Sequence, residues 1–400
     1  MPNLCSFDDC CGCSACFAAC PKRAISMVAD REGFLRPEVK EDACVNCKLC
    51  ERVCPVLNRG EPREPLAVYG TMAKDEAMRL TSSSGGMFTL LAREVLRQGG
   101  IVFGAAIREG DCSIGHRSAE TEEELEWLRR SKYVQSDVGD TYRQVKVELD
   151  KGRLVMFTGT PCQIAGLRSY LNLQPSTSTS NLLLVDVICH AAPSPLAWQK
   201  YLRKREGALA QGRGSARAEG PIAKRISFRR KNCGWKRFSL SLRFANDKEY
   251  LGILGVDTFL RGFLNELFNR KSCYDCQYKN LRSGSDITLG DYWNVHVKFP
   301  DFDDDKGTSL VLVNTEKGAR FYAAIRPLLT ERVSDFTDAK RSNPALWKSP
   351  LVNPNRQAFF DAVESPDFNF DKVTIRLTMP PLGRRIYIKL RGWLRALTGI

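Results

Sequence analysis

The chain has 400 residues, of which 43% are hydrophobic, and it carries a formal net charge of +14. This length predicts two or three domains with a real apolar core. No apolar run approaches the length that spans a bilayer, no basic and apolar leader opens the sequence, and no nucleic-acid recognition motif accompanies the basic charge. Transmembrane, secreted and nucleic-acid-binding classes are therefore disfavoured, and we expect a cytoplasmic protein.

The positive charge is concentrated in two segments. Residues 1–60 are balanced, with eight Lys/Arg and eight Asp/Glu, whereas residues 200–237 carry thirteen Lys/Arg against two acidic residues. The stretch after Gly383 adds five basic residues and no acidic one. The charge predicts contacts with acidic small molecules, an acidic protein or anionic lipid, and no nucleic acid.

Eight cysteines in the first 54 residues form the same run twice. Each run has three cysteines spaced by two residues, a fourth after three more, and then a proline: Cys10, Cys13, Cys16 and Cys20, followed by Cys44, Cys47, Cys50 and Cys54. Two-cluster bacterial ferredoxins have this pattern, and in them the fourth cysteine of each run binds the other run's cluster. The pattern predicts two 4Fe–4S clusters, with Cys54 and Cys20 exchanged between the runs. A pair of zinc sites is the alternative, but zinc explains neither the third cysteine nor the proline.

The cysteine-rich segment ends at a charged connector with two prolines, residues 56–65, so we predict a small α+β ferredoxin domain over residues 1–60. Strand-like and helix-like segments alternate beyond it, which predicts an α/β core with a mostly parallel or mixed sheet over residues 61–360. The first predicted strands are Leu66–Ala73, Ile101–Ile107, Leu154–Phe157 and Leu182–Ile188. The helices between and after them are Met87–Gln98, Asp140–Leu149, Ile164–Leu171 and Leu196–Lys204.

The second part of the core follows a segment rich in Gly and Ala, residues 206–221, which is predicted to be a flexible insertion. Predicted strands follow at Ile226–Arg230, Phe238–Phe244, Asp286–Leu289 and Ser309–Asn314, with helices at Asp257–Phe268 and Ala319–Leu328. Residues 361–400 are predicted to be a basic amphipathic tail, whose apolar helical face consists of Ile386, Leu390, Trp393, Leu394, Leu397 and Ile400. Such a tail either lies peripherally on the inner face of the membrane or docks on protein.

Several core motifs fall at the ends of predicted strands or the starts of helices. Ser82, Ser83, Ser84, Gly85 and Gly86 precede the helix at Met87, where a small-residue turn either cradles a phosphate or simply caps the helix. Cys162 and Cys189 each follow a strand, and the carboxyl ends of parallel strands share one edge. With Cys273 and Cys276 they supply the ligand number of a third 4Fe–4S cluster. A zinc site, a redox-active thiol and unrelated buried cysteines are the alternatives.

Two weaker candidates stand beside these motifs. His190, next to Cys189, is a candidate proton donor or a structural histidine. The acidic loop Asp301–Asp305 is a candidate cation site or a solvated loop, and it lacks the glycine-centred spacing of a calcium loop.

From Leu66 to about Gly318 the chain resembles the coenzyme F420 hydrogenase/dehydrogenase beta subunit family. The resemblance rests on SSSGGMFTLL (82–91), SKYVQSD (131–137), FTGTPCQIAGLR (157–168), CHAAPSP (189–195), FRRKNCGW (228–235), KSCYDCQYKN (271–280), SDITLGDYW (285–293) and GTSLVLVN (307–314). Members of this family bind FAD and iron–sulfur clusters, and they pass electrons between ferredoxin-like centres and a two-electron acceptor.

The resemblance implies roles for individual residues. It assigns Cys162, Cys189, Cys273 and Cys276 to a core cluster. It places the turn at 82–86, Lys132 and Gln135 near the flavin, with Gly159 and Thr160 among the cofactor-binding residues. Where the family usually has Cys-His-Gly, this chain has Cys189-His190-Ala191, and the extra methyl group would restrict the turn or narrow the pocket, so the resemblance alone does not assign the substrate.

Iron–sulfur cubanes move single electrons, hydride acceptors take two, and a flavin does both. We therefore expect an iron–sulfur flavoprotein oxidoreductase that passes electrons between the ferredoxin clusters, the core cluster, FAD and a small two-electron substrate. The substrate is expected to be F420-like or another acidic or conjugated molecule. The expected redox partner is a ferredoxin or a hydrogenase/dehydrogenase complex. The alternatives are an electron-transfer subunit that serves a separate catalytic partner, and a redox-sensing module.

Overall fold

The computed structural model describes residues 2–210 and 223–380. The first unit contains helix α1 (Ala15–Ala19), strands β1 (Ile25–Ala29) and β2 (Leu35–Val39), and helix α2 (Leu49–Arg52). The two strands form an antiparallel hairpin. Its turn residue Gly33 has a φ of 84°, and a Cβ there would lie 2.6 Å from the backbone nitrogen of Leu196. Glycine therefore lets the hairpin turn pack directly on the core.

The core strands are β3 (Ala67–Ala73), β4 (Ile101–Ile107), β5 (Ile114–Ala119), β6 (Val155–Gly159), β7 (Leu182–Val187), β8 (Ala223–Arg230), β9 (Ser239–Phe244), β10 (Glu249–Ile253), β11 (Ile287–Asp291), β12 (Ser309–Val313) and β13 (Leu329–Ser334). Eight of them form one sheet in the order β13-β3-β12-β11-β7-β6-β4-β5. Strands β11, β7, β6 and β4 are parallel, and the strands outside them pair antiparallel. The mixed sheet confirms the predicted α/β core. Strands β8, β9 and β10 form a separate antiparallel sheet.

The core helices are α3 (Glu76–Leu80), α4 (Met87–Arg97), α5 (Glu122–Leu128), α6 (Thr141–Asp150), α7 (Pro161–Asn172), α8 (Pro195–Ala210), α9 (Thr258–Leu264), α10 (Glu316–Ile325), α11 (Phe336–Ser342), α12 (Arg356–Val363) and α13 (Phe370–Leu377). Short 3₁₀ segments lie at Lys271–Cys273, Val295–Val297, Pro300–Phe302, Arg326–Leu328 and Pro344–Leu346.

The central strands lie where the apolar runs predicted them, because these runs are buried on both faces. Strand β4 has the predicted bounds, and Leu182–Val185 of β7 is buried throughout. Two predictions need correction. Helix α9 ends at Leu264, before the predicted Phe268. Helix α8 continues to Ala210, so residues 206–210 are helical, whereas the rest of the predicted insertion lies mainly in 211–222, outside the described residues.

The core extends beyond the predicted boundary at residue 360, which falls inside helix α12. Phe359, Phe360, Val363 and Phe370 are buried together in an apolar cluster with Phe268. The apolar face predicted for the tail, from Ile386 to Ile400, lies outside the described residues. Within residues 2–210 and 223–380, no helix is both long and apolar enough to cross a membrane.

The first unit lies against α6 and α7 of the core. Arg143 of α6 donates from Nη2 to the carbonyl of Phe17 at 2.7 Å and from Nε to that of Ala18 at 3.2 Å. Gly166 of α7 faces Cys13, and a Cβ at Gly166 would lie 3.1 Å from the Cys13 Sγ. The small residue lets a cysteine of the first run come close to the core.

Candidate iron–sulfur and flavin site

The distal cavity of the first unit is lined by four cysteines of the two runs, Cys20, Cys44, Cys47 and Cys50. Cys47 is exposed and Cys50 is buried. Asn46 and Lys48 adopt left-handed backbone conformations, which turn the loop around the cavity. Lys22 and Lys48 also line it, so its charged rim is positive.

The proximal cavity lies nearer the core and is lined by Cys10, Cys13, Cys16 and Cys54. Cys54 thus lies with the first run, and Cys20 lies with the second. This is the arrangement that exchanged ligation requires, and the ligation itself stays a prediction. Burial raises the pKa of Cys16.

Two further cysteines line the proximal cavity, and the spacing of the runs gave no sign of them. The thiol of Cys5 contacts both Cys10 and Cys54. Its hydrogen bond to Cys10 lowers the pKa of Cys10 to about 6, against the opposing effect of burial and with a smaller contribution from Arg270. The thiol of Cys11 contacts Cys13 on one side and Cys162 of the core on the other. Cys11 therefore joins the proximal cavity to the core cysteines.

The core cysteines come from three elements that meet on the core side of Cys11. Cys162 lies in the first turn of α7, and Cys189 follows the end of β7. Cys273 ends a 3₁₀ segment, and its Sγ accepts a hydrogen bond from Ala192 N at 3.4 Å. Cys189 lies close enough to Cys162 and Cys273 to contribute to raising their pKa values, and Cys276 contributes to raising that of Cys189. Burial raises the pKa of Cys189 to about 12 and also raises that of Cys276.

The thiols of the described core cysteines do not form a site for a single metal ion. Among the described residues, no three His, Cys, Asp or Glu side chains converge at the spacing of a single metal ion. A cubane binds each cysteine through a different iron, so its ligands stand farther apart than those of one ion. The four core thiols have the number and softness that iron–sulfur clusters require.

Helix α7 fixes Cys162 through its first turn. Thr160 is the N-cap residue, its backbone N–H donates to Gln163 Oε1 at 2.9 Å, and its hydroxyl lies 3.1 Å from the Cys162 Sγ. A Cβ at Gly159 would lie 3.0 Å from the same Gln163 oxygen. Gly159 and Thr160 therefore help to hold the first turn of α7, and with it Cys162, in place.

The turn at 82–86 is built by bonds to neighbouring loops. Ser82 and Ser84 donate to the carbonyls of Met78 and Thr308, and the Ser83 hydroxyl accepts from Ser131 N at 2.9 Å. Gly85 N donates to Ser309 Oγ, and Gly86, with a φ of 98°, is the N-cap of α4. No side chain of the described residues caps α4, so none of the three serines acts as the N-cap that the sequence offered as one interpretation.

Lys132 and Gln135 both make hydrogen bonds within the protein, and their place near a flavin stays a prediction. Lys132 Nζ donates to the carbonyls of Trp127, Leu128 and Arg129 at 2.7–3.0 Å, which uses its three N–H groups at the carboxyl end of α5. Burial lowers the pKa of Lys132 to about 7. Gln135 donates to the Cys11 carbonyl at 2.9 Å and therefore lies at the junction of the two units.

A buried group of basic and aromatic residues lies beside the serine–glycine turn. The Arg229 guanidinium pairs with Asp291 and lies 4.5 Å from the ring centre of Phe238 and 5.3 Å from that of Trp293. Its side chain is 2% exposed, and among the described residues its Nε and Nη2 make no hydrogen bond of ordinary geometry, although the guanidinium lies close enough to Tyr133 to act on the pKa of the Tyr133 hydroxyl. We call Arg229, Tyr133, Asp291, Trp293 and Lys231 the basic–aromatic group.

Lys231 connects this group to the serine–glycine turn. Its Nζ donates to the carbonyls of Ser84 and Arg79 at 2.8 Å and to that of Lys306 at 2.6 Å. Burial lowers the pKa of Lys231 to about 7. The motif FRRKNCGW holds both Arg229 and Lys231, but nothing in its spacing indicated that they are buried.

Phe263 separates the core cysteines from the basic–aromatic group. Its ring centre lies 5.3 Å from that of His190 and 5.1 Å from that of Tyr133. His190 follows Cys189 directly, its Nε2 lies 2.5 Å from Glu266 Oε1, and its side chain is 41% exposed. One aromatic ring therefore spans the gap between the two groups.

Both groups lie at the carboxyl edge of the parallel strands. Gly159 ends β6, Cys189 follows β7 and Asp291 ends β11. Asp291 is opposite Ser309 in the antiparallel pair, and Ser309 binds the serine–glycine turn. Open α/β sheets bind ligands at this edge.

Two family models match the chain. Residues 152–329 match the C-terminal part of the coenzyme F420 hydrogenase/dehydrogenase beta subunit, and residues 9–58 match the 4Fe-4S dicluster domain. Residues 152–329 are therefore similar to the C-terminal part of this beta subunit, and they are preceded by a segment, residues 9–58, that matches a dicluster ferredoxin domain. The matched ranges contain both cysteine runs, the four core cysteines and Arg229. The family is one of oxidoreductases.

A solved structure is similar to the chain over most of its length. It is a chain of the xenon-derivatised F420-reducing [NiFe] hydrogenase complex from Methanosarcina barkeri, with 14% sequence identity and a TM-score of 0.46. The match covers 79% of this chain and 91% of that chain. No curated protein is significantly similar in sequence.

The acidic loop is engaged by basic residues. Asp301 pairs with Arg332, Asp303 with Lys236 and Asp304 with Arg79. Asp305 accepts a hydrogen bond from the backbone of Lys236. The loop therefore binds neighbouring segments, and Asp301 and Asp304 remain exposed to solvent, as a solvated loop predicts; the cation site stays a prediction.

Proposed function

We propose that the protein is an iron–sulfur flavoprotein oxidoreductase that passes electrons between 4Fe–4S clusters, FAD and a small two-electron substrate. The observation that carries the proposal is the line of cysteines from the distal cavity through the proximal cavity to the core, which ends beside the basic–aromatic group. Cys11 contacts a cysteine on each side of the junction, and Phe263 spans the last gap. Short steps through packed side chains suit single-electron transfer.

The core cluster is the third centre of this relay. Cys162, Cys189, Cys273 and Cys276 are its proposed ligands, because these half-buried cysteines come from three segments that meet at the carboxyl edge of the parallel strands. Burial keeps the pKa of Cys189 and Cys276 high, so cluster assembly releases protons from these thiols. Lys279 donates to the Cys189 carbonyl at 3.1 Å and so orients that ligand.

The basic–aromatic group fits FAD. A buried guanidinium with two nitrogens that have no hydrogen-bond partner in the described part of the chain is costly, and an acceptor on a bound group would satisfy them. Flavin and diphosphate oxygens are such acceptors, and Trp293 and Tyr133 supply aromatic contact. The start of α4, which no side chain caps, lies in the same region and suits a phosphate. When bound, FAD supplies the conversion between one-electron and two-electron chemistry.

The substrate side of the site is the exposed face around His190. His190 is a candidate for proton transfer, since it is accessible and is held by Glu266. Arg229 and Lys231 favour an acidic or conjugated substrate, F420-like or another. Ala191 is buried at this turn, so its methyl group narrows the space next to His190.

The redox partner is proposed to dock at the distal cavity, since Cys47 is exposed there and Lys22 and Lys48 give it a positive rim. A small acidic carrier such as a ferredoxin fits this surface, as does an acidic subunit of a hydrogenase/dehydrogenase complex. The membrane contact of the C-terminal tail stays a prediction from its sequence.

Anaerobic purification of the full chain with iron, sulfide and flavin analysis tests the proposal. The three clusters predict about twelve irons per chain, together with one FAD. The C273S/C276S double variant should retain about eight irons. C112S is the matched control, because the Cys112 thiol is buried in another part of the core, where it donates to the Ala223 carbonyl. Zinc in the core site, or about eight irons in both the parent and the double variant, contradicts the third cluster.

Turnover decides between the enzyme and the electron-transfer subunit. The isolated chain should reduce or oxidise a small acidic acceptor when its clusters are supplied with electrons. A chain that holds all its cofactors but transfers electrons only in the presence of a second protein would be the subunit.

A further inference from the structure

Arg270 is a fully buried arginine at the junction of the two units. Its side chain crosses from the core into the ferredoxin unit, where Nε donates to the Cys10 carbonyl at 2.8 Å and Nη2 to the Leu35 carbonyl at 3.0 Å. Nη1 donates to Gln135 Oε1 at 2.8 Å. The residue is 1% exposed, and its guanidinium lies 5.3 Å from the ring centre of Phe34.

All oxygen acceptors of Arg270 are neutral. Among residues 2–210 and 223–380, no Asp or Glu lies within ion-pair distance of its guanidinium. Three other buried arginines differ from it in this respect, since Arg36 pairs with Asp30, Arg229 with Asp291 and Arg356 with Glu32. A buried charge without a counter-charge is strongly unfavourable. The buried Arg270 guanidinium therefore needs an anionic partner that the described Asp and Glu residues do not provide.

The cysteines around Arg270 supply such an anion when they bind a cluster. Nη2 lies 3.8 Å from the Cys10 Sγ, and the Arg270 charge also acts on Cys11 and Cys273. The Arg270 carbonyl accepts from Cys273 N at 3.0 Å, so the same residue supports a core cysteine. Gly12 has a φ of 66°, and a Cβ there would lie 2.7 Å from Nη1. The loop of the first run thus closes tightly over the guanidinium.

We propose that Arg270 is the fixed counter-charge of the proximal cluster and holds the reduction potential of that cluster above that of the distal one. This inference rests on the proposed function, since it requires a cluster at Cys10, Cys13, Cys16 and Cys54. Reduction adds one negative charge to a cluster, and a buried cation beside it stabilises the reduced form. The charges at the distal rim, Lys22 and Lys48, are exposed and screened by water. One electron then moves downhill from the distal to the proximal cluster, with no proton required.

The test is a redox titration of the full, cluster-loaded chain, followed by electron paramagnetic resonance. R270Q removes the charge and keeps a hydrogen-bond donor, whereas R270K keeps the charge. In R270Q the ratio of reduced to oxidised proximal cluster at a fixed potential should fall roughly tenfold, equivalent to about 59 mV for one electron. The distal signal should not move, and R270K should retain most of the parent's potential. C5S/C54S and C20S assign the proximal and distal signals by removing them, with C5S alone as the reference.

R143Q is the matched control for the junction. Arg143 also donates to carbonyls of the ferredoxin unit, but it is partly exposed and pairs with Asp140. R143Q should leave the proximal potential unchanged. An unchanged potential of the proximal cluster in iron-loaded R270Q overturns the proposal. An equal shift in R270Q and R270K also overturns it, because a purely structural role of Arg270 predicts the same shift in both variants.

Cluster loss is also informative. Loss of the proximal iron in R270Q with retention in R270K supports the counter-charge, whereas loss in both variants overturns it. A parent chain without iron would instead refute the proposed function and would be detected before any titration.

Discussion

Glu32 and Arg356 form a buried ion pair that joins the ferredoxin hairpin to helix α12. Arg356 Nη1 donates to Glu32 Oε1 at 2.9 Å, and the side chains are 5% and 4% exposed, respectively. Arg356 Nε also donates to the Asn269 carbonyl at 2.8 Å, one residue before Arg270. The Glu32 carbonyl accepts from Ser194 Oγ at the start of α8. The ferredoxin unit is thus held by residues that also position Arg270 and the core cysteines.

Removing one partner of this pair should destabilise the whole protein. In E32A the Arg356 guanidinium stays buried without a counter-charge, which costs about 3–5 kcal/mol in the free energy of unfolding. Denaturant unfolding of the parent and the variant at equal iron content measures the change.

An exposed pair provides the control. Arg93 and Glu122 are both well exposed, so R93A should cost at most about 1 kcal/mol. Similar losses in E32A and R93A would show that the buried pair does not hold the two units together.

Double variants test the exchanged ligation of the ferredoxin clusters. Cys54 lines the proximal cavity with Cys10, so C10S/C54S should disrupt one cluster and lose about four irons. C44S/C54S should disrupt both ferredoxin clusters and lose about eight. Iron analysis after anaerobic purification distinguishes the two outcomes.

Both double variants are best made in a C5S background, since Cys5 contacts Cys10 and Cys54 and is placed to replace a lost ligand. C5S alone should keep the parent's iron content. The reverse result, with about eight irons lost in C10S/C54S and about four in C44S/C54S, would assign each run to its own cluster.

The sequence predicted those features of the fold and the site that depend on the spacing of neighbouring residues. The apolar runs of β4 and β7 and the two cysteine runs are of this kind, because burial on both faces and cluster ligation each impose a short-range pattern. Strand β13 was not predicted, since its sequence, LTERVS, is mostly polar and the strand lies at the edge of the sheet, where Glu331 is partly buried by its bonds to Tyr322 and Arg326.

The electrostatics of the site could not be predicted in this way. Arg270 differs from other arginines only through its contacts with Cys10, Leu35 and Gln135, which are more than 100 residues away in the sequence. The unpaired atoms of Arg229 likewise depend on the packing of Phe238 and Trp293. Lys132 was assigned to the flavin, although a lysine just after α5 is also typical of a helix C-cap.

His116 should make stability depend on pH. It lies against Phe157, with Nε2 at 3.1 Å from the Thr158 carbonyl and Nδ1 at 3.2 Å from Ser136 Oγ, and burial lowers its pKa to about 4. The unfolded chain, with an ordinary histidine pKa near 6.5, binds this proton more readily between pH 6.5 and 4. The free energy of unfolding is therefore unaffected by the titration of His116 above pH 6.5. It decreases as the pH falls towards 4, by up to about 3 kcal/mol.

Thermal unfolding of the parent and H116Q between pH 7.5 and 5.5 measures this dependence. The parent should lose more stability than H116Q over that range, because glutamine does not titrate. Parallel pH profiles would show that His116 does not stay neutral in the folded protein.

Arg229 should decide whether the chain retains FAD. R229Q removes the cation and the Nε and Nη2 donors that have no hydrogen-bond partner among the described residues, so the affinity for FAD should fall at least about tenfold, in line with about 1.5–3 kcal/mol for a hydrogen bond to a charged group. The iron content should stay at the parent's value, since the core cysteines lie beyond Phe263. Flavin content after gel filtration and titration of the apo-flavin protein with FAD measure the effect.

The neighbouring Arg230 is the matched control, because it is 46% exposed and pairs with Glu249 at the surface, so R230Q should bind FAD as the parent does. Equal FAD retention in R229Q and the parent would place the flavin away from the basic–aromatic group, whereas equal loss in R229Q and R230Q would indicate a general disturbance of β8.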